Sequence, residues 1–155
     1  MLLVTTGRKP CVNTRRFAKT LALLVPQAEY TVRGKKNIET LAEEARFKGA
    51  ERVAIIGDRK GNPGRIEFAL VNARSWKWLE KTIVIDKTIE PKEKIKQKTD
   101  HANATGPLAS QLTEFFAFDP EEDSPNEITM NENEMVFSKN NEIVLKIVFK
   151  VIDSA

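Results

Sequence analysis

Cysteine and histidine are almost absent from these 155 residues, each occurring once, as Cys11 and His101. A lone cysteine excludes an intrachain disulfide and a cysteine-based zinc site. A lone histidine in a polar stretch offers no Cys–His or Ser–His pair for nucleophilic catalysis. This cysteine usage suits a reducing compartment, and the expected location is cytoplasmic. Long apolar runs are missing too: none approaches the ~20 residues that cross a bilayer as a helix. TRRFAKTLALLV has the look of a twin-arginine export signal, but LALLV is short and stops at Pro26. An Arg-rich start without acids also resembles a mitochondrial transit peptide, but such peptides lack a core strand like LLVTT at 2–6. No phosphate-binding GxxxxGK loop, GxGxxG or HExxH is present, so neither cofactor nor metal is expected.

Negative charge is missing where positive charge is densest. The first acidic residue is Glu29, while Arg8, Lys9, Arg15, Arg16 and Lys19 precede it. Residues 1–65 carry 14 Lys/Arg against 6 Asp/Glu, whereas residues 108–155 carry 3 against 10. Such asymmetry predicts a basic surface for a polyanion at one end and an acidic surface at the other.

What is there reads as alternating strands and helices. LLVTT and RVAIIGD (52–58) are apolar runs of buried-strand type, and AEYTV is a short strand. After the first strand, Phe17, Leu21, Leu24 and Val25 form one face of a helix capped by Asn13 or Thr14. Asn37 caps a second helix with Ile38, Leu41, Ala42 and Ala45 inward, stopped by Gly49. Alternating IEFALV follows, then TIVID as a strand, with the preceding SWKWLEK weak in signal. The Lys-rich KTIEPKEKIKQKTDHANATG is expected to be an exposed connection. From Gly106 and Pro107 a third helix repeats the first helix's spacing with Leu108, Leu112, Phe115 and Phe116. DPEEDSPNE lacks EF-hand spacing and reads as a solvated loop. The end is all strand, with Ile143, Leu145, Ile147, Phe149 and Val151 facing a core. The order implies an α/β fold, a mixed β-sheet with packed helices.

Three basic loops lie between these elements and hold Arg8, Lys9, Arg15, Arg16, Lys19, Arg33, Lys35, Lys36, Arg59, Lys60 and Arg65. Arg forks bind phosphate oxygens bidentately, and Gly7, Gly34, Gly61 and Gly64 give a backbone room to approach. Those eleven cations are the candidate RNA-binding residues. Asp58, at the end of an apolar strand, is the only credible start for a metal-dependent phosphate-ester hydrolase. It is more simply a turn residue or the ion-pair partner of Arg59 and Lys60.

Taken in order, TTGRKPCVNTRRFAK, RGKKNI and RKGNPGRI resemble the Brix domain of ribosome-biogenesis proteins over residues 1 to about 71. The matching motif positions are Thr6, Arg8, Lys9, Pro10, Thr14, Arg15, Phe17, Lys19, Arg33, Gly34, Lys36, Arg59, Gly61, Pro63 and Ile66. In the segment where larger relatives carry an H-L-P-x-G-P-T type stretch, this chain reads VNARSWKWLEK. Without long charged tails it is most similar to the minimal archaeal form. The resemblance implies one Brix domain over 1–155 in two related α/β halves, about 1–78 and 79–155. Each half would be similar to the anticodon-binding domain of class II aminoacyl-tRNA synthetases. It further implies a non-enzymatic, RNA-binding role in pre-rRNA processing and ribosomal subunit assembly. The implied partners are ribosomal RNA or its precursor and other assembly proteins, with no membrane and no small-molecule substrate. The rival reading is a protein-interaction module whose acidic half, residues 119–134 in particular, docks a basic ribosomal or assembly protein.

Overall fold

Leu2–Thr6 form strand β1, fully buried as its apolar and β-branched residues require. The computed structural model describes residues 1–154. After β1 come helix α1 (Val12–Leu24), β2 (Ala28–Tyr30), α2 (Ile38–Lys48), β3 (Arg52–Arg59), β4 (Asn62–Val71) and β5 (Trp76–Ile89). The second half holds β6 (Asn103–Thr105), α3 (Ala109–Phe115), β7 (Asn126–Met130), β8 (Glu134–Lys139) and β9 (Glu142–Asp153). All strands join one nine-stranded sheet in the order β2-β1-β3-β4-β5-β9-β8-β7-β6. Strands β2, β1 and β3 run parallel, β3 to β7 pair antiparallel through β4, β5, β9 and β8, and β6 is parallel to β7.

The sheet has two arms of similar plan. In one, β3, β4 and β5 form an antiparallel meander flanked by parallel β1; in the other, β7, β8 and β9 do so beside parallel β6. They meet where β5 pairs with β9. The 78/79 boundary expected from the sequence lies inside β5, which is continuous from Trp76.

Of the three helical stripes read from the sequence, those of α1 and α3 pack on one face. Phe17, Leu21, Leu24 and Val25 of the α1 region share a buried cluster with Leu112, Phe115 and Phe116 of the α3 region. Phe68 of β4 joins them, its ring 5.6 Å from Phe115 and 5.4 Å from Phe116. Helix α2 covers the opposite face of the first arm with Leu41, Ala42 and Ala45 on Leu3, Val53 and Ile55. Its caps follow the sequence: the Asn37 side chain accepts from the Thr40 N–H, and Gly49 is left-handed at φ 77°. Helix α1 differs, because Cys11 is its N-cap, in place of Asn13 or Thr14, and the Cys11 side chain makes no capping hydrogen bond.

Three departures have physical causes. First, the predicted strand TIVID is only the middle of the 14-residue β5. Second, Ile143 is 63% exposed rather than in the core. Phe137 pairs with Leu145 but Ser138 with Ile143, so one extra residue in β9 turns Ile143 outward and lets Val144 pack on the core. Third, the connection after β5 is fastened at its far end: Lys98 Nζ donates to the Ala22 carbonyl at 2.8 Å and to that of Val25. Burial lowers the Lys98 pKa to about 8, which leaves an ammonium at neutral pH on the C-terminal carbonyls of α1.

Gly106 sits at φ 101°, and a Cβ there would lie 2.5 Å from the Met130 carbonyl oxygen. Gly106→Ala is therefore expected to lower the stability measured by urea unfolding by about 2 kcal/mol or more. Among the described residues, no helix is long and apolar enough to cross a membrane.

Candidate nucleic-acid interface

Because β1, β2 and β3 are parallel, the loops that leave their C-terminal ends emerge on one edge of the sheet. Ligand sites of open α/β sheets form at such an edge. Here the three loops touch. Cys11 N–H donates to Asp58 Oδ2 at 3.0 Å, joining the loop before α1 to the end of β3. Asn13 Nδ2 donates to the Gly61 carbonyl at 3.1 Å and to Asn62 Oδ1 at 3.0 Å, tying α1 to the β3–β4 turn. Arg33 Nη1 donates to the Thr6 carbonyl at 3.0 Å, and Arg8 Nη2 reaches the Lys35 carbonyl at 3.5 Å. In the β3–β4 turn, Lys60 and Gly61 have φ 50° and 80°, as a two-residue hairpin connection demands.

The eleven candidate cations divide by what already holds them. Arg33 is nearly buried, and its Nε donates to the Lys36 carbonyl at 2.8 Å, so it braces the loops from inside. Burial and the neighbouring Arg8 pull its pKa down. Lys36 is ion-paired with Glu44 at 2.7 Å, Arg16 with Glu90 at 3.2 Å and Arg65 with Glu67 at 3.3 Å. Arg59 Nη2 donates to the Ile85 carbonyl at 2.9 Å. Among the described residues, Arg8, Lys9, Arg15, Lys19, Lys35 and Lys60 are exposed and in no ion pair. Lys19 lies over the Tyr30 ring, 5.7 Å from its centroid. Of the four loop glycines, Gly7, Gly34 and Gly61 open onto free space, but Gly64 does not. A Cβ on Gly64 would meet that of Arg59 at 2.5 Å, so its bareness serves the hairpin and not an approaching ligand.

No family model matches the chain. A protein of Pyrococcus horikoshii described as a probable Brix domain-containing ribosomal biogenesis protein is 40% identical over 79 residues, 51% of this chain and 35% of its own length. A protein of Archaeoglobus fulgidus with the same description is 41% identical over 96 residues, 62% of this chain and 54% of its own. The matched stretches thus span between a third and about half of these curated relatives. A crystal structure of a probable ribosomal biogenesis protein from Aeropyrum pernix K1 superimposes with TM-score 0.79 at 22% identity, covering 99% of this chain and 96% of that one. The crystal structure of Mil, an archaeal Imp4-like protein, gives 0.77 at 22% identity, covering 99% and 100%. Over about half of its length the chain is similar in sequence to archaeal Brix-domain proteins, and over nearly all of it the fold matches the two solved structures.

Much of the Brix-like motif in this chain is scaffold. Thr6, Thr14, Phe17, Arg33, Pro63 and Ile66 are buried, and they set the loops rather than present groups to solvent. Sequence reasoning passed over Asn13 as a tie between loops. It also misplaced Asp58, whose carboxylate faces Cys11 instead of pairing with Arg59 or Lys60. No local signal in the sequence reveals that contact, because Cys11 lies 47 positions before Asp58. Among the described residues, no group of three or more His, Cys, Asp or Glu side chains is arranged to hold a metal.

Burial pushes the Asp58 carboxyl up, but hydrogen bonds from Thr14 and from the Cys11 N–H and thiol outweigh it, and the net pKa is lowered. A folded value below the unfolded one, near 4 for Asp, stabilises the fold above about pH 4. That contribution is lost as the pH falls through the folded value. Asp58→Ala is expected to cost about 0.5–1.5 kcal/mol at neutral pH, with the two proteins' urea midpoints converging in acid.

Proposed function

We propose that this chain is a non-enzymatic RNA-binding factor of ribosome assembly that holds structured ribosomal RNA, or its precursor, against the basic sheet edge. The observation that carries this reading is the set of six exposed, unpaired cations, two on α1 and four on three loops knitted together beside it. A surface without ion-pair partners releases counterions from a phosphate backbone without first breaking its own contacts. Such contacts fix the position of the RNA and leave its sequence unread. The names of the relatives, ribosomal biogenesis proteins, supply the biological setting. The mechanism is chaperone-like: RNA is held in a conformation suited to folding, pairing or cleavage by other assembly factors.

Holding six mutually repelling cations on one rigid edge opposes folding, and a polyanion relieves that repulsion. The test is affinity for a structured ribosomal RNA fragment over a salt series, comparing the intact protein with Arg15→Glu/Lys19→Glu. A salt slope unchanged by the double substitution would overturn the reading.

The rival docking reading rests on the second arm, where Asp119, Glu122 and Asp123 are exposed and, among the described residues, in no ion pair in the loop before β7. Under it, a basic assembly protein occupies the acidic end of the sheet, and charge reversal on α1 leaves that binding intact.

A further inference from the structure

Residues 90–98 connect the two arms by running along the exposed side of α1. At the start, the Glu90 carboxylate meets Arg16 near the helix N-terminus; at the end, Lys98 and the Thr99 N–H hold the carbonyls of the last turn, Thr99 donating to Leu23 at 2.8 Å. Between them the strap is loosely fastened. Ile95 packs on the core edge, and the Gln97 carbonyl accepts from Lys139 at 3.4 Å. Among the described residues, no loop or turn backbone–backbone hydrogen bond involves residues 90–97. There is open space on both sides. A groove of about 650 Å³ separates the strap from α1, and one of about 790 Å³ separates it from the start of β9.

The contact at Glu90 is poorly matched. Arg16 Nε and Nη2 both approach Oε2, at 3.3 and 3.2 Å, and Nη2 also donates to Asn13 Oδ1 at 2.9 Å. Oε1 is buried without any hydrogen-bond partner. A carboxylate facing a guanidinium fork normally uses both oxygens. Here one anionic oxygen meets the fork and the second is unsatisfied, in a groove whose other charged lining is Arg15, Lys19, Lys92 and Lys94 against Glu93 alone. A phosphate diester has the same charge and two equivalent oxygens on a tetrahedral centre.

We infer that the groove between α1 and the strap is a seat for an RNA phosphate and that the Glu90 carboxylate occupies it in the free protein. This deepens the RNA-binding reading and rests on it. On binding, the phosphate takes the Arg16 fork, Glu90 swings out with the strap, and Lys92 and Lys94 are carried onto the backbone next to Arg15 and Lys19. The strap pivots at Lys98 and Thr99, so the join between the arms stays closed while the seat opens.

The experiment titrates a fluorophore-labelled structured ribosomal RNA fragment with the full chain, with Glu90→Gln and with Glu93→Gln. Glu93 is on the same strap, exposed and in no ion pair, so its substitution removes the same charge without freeing Arg16. Glu90→Gln is expected to bind about fivefold tighter and Glu93→Gln to stay within about twofold of the parent. Adding Arg16→Gln to Glu90→Gln is expected to remove the gain. Equal gains in the two single variants, or none in Glu90→Gln, would overturn the seat while leaving the grip on RNA standing. Absence of RNA binding by every variant would instead refute the grip itself. Trypsin supplies a readout without RNA: cleavage after Lys92, Lys94 or Lys96 should be faster in Glu90→Gln than in Glu93→Gln, and equal rates would sink the latch.

Discussion

Arg15→Glu/Lys19→Glu is expected to weaken binding to a structured ribosomal RNA fragment on the order of a hundredfold near physiological salt, and to flatten the slope of log K against log salt by about 1.5. The pair is chosen for its surroundings. Both side chains are exposed and in no ion pair, one turn apart on α1, whereas Arg16 is already engaged by Glu90. Folding should survive. Helix α1 has no acidic residue in its first turn, so Glu beside its N-terminus favours the macrodipole where Arg opposes it, by about 0.3–1 kcal/mol. Thermal melting at or slightly above the parent value, with RNA affinity lost, separates a damaged binding surface from a damaged fold. An unchanged affinity would shift the weight to the docking reading.

Phe68→Ala is expected to cost about 3–5 kcal/mol, the largest effect on stability considered for a single site. Phe68 is fully buried on β4 of the first arm, and its ring meets Phe115 and Phe116 from the α3 region of the second. Removing it opens a cavity at the place where helix packing joins the arms, in addition to the strand pairing of β5 with β9. Urea unfolding should keep a single transition with an unchanged slope and a lower midpoint. Two resolved transitions would mean that the arms unfold independently and that the aromatic junction does not couple them.

Features that depend on neighbours a few residues apart are legible in the sequence. The stripe Phe17, Leu21, Leu24 and Val25, the Asn37 cap and the Gly49 stop all took the predicted roles, because helix period and cap chemistry are local. The three basic loops were legible as segments, and their convergence followed once β1, β2 and β3 proved parallel. Long-range facts were not legible. Burial of Arg33 depends on the Thr6 carbonyl 27 positions away, and nothing in RGKKN distinguishes it from Lys35. The outward turn of Ile143 depends on one unpaired residue opposite β8, which strict alternation cannot foresee. Trp76 and Trp78 belong to β5 because β4 offers Val71 and Ala69 as partners, a tertiary reason invisible in SWKWLEK.

The strand that comes last in the sequence order lies in the middle of the sheet. β9 pairs with the distant β5 on one side, from Ile89 with Lys146 to Lys81 with Asp153, and with the preceding β8 on the other. During synthesis the first arm has all its own strands once β5 has emerged, yet the inner edge of β5 stays bare until β9 is made. A long unpaired edge bearing Ile83 and Ile85 is a template for wrong partners. Premature release of a nascent chain lacking β9 would therefore leave a sticky half-protein, with its basic edge formed and its hydrophobic seam open.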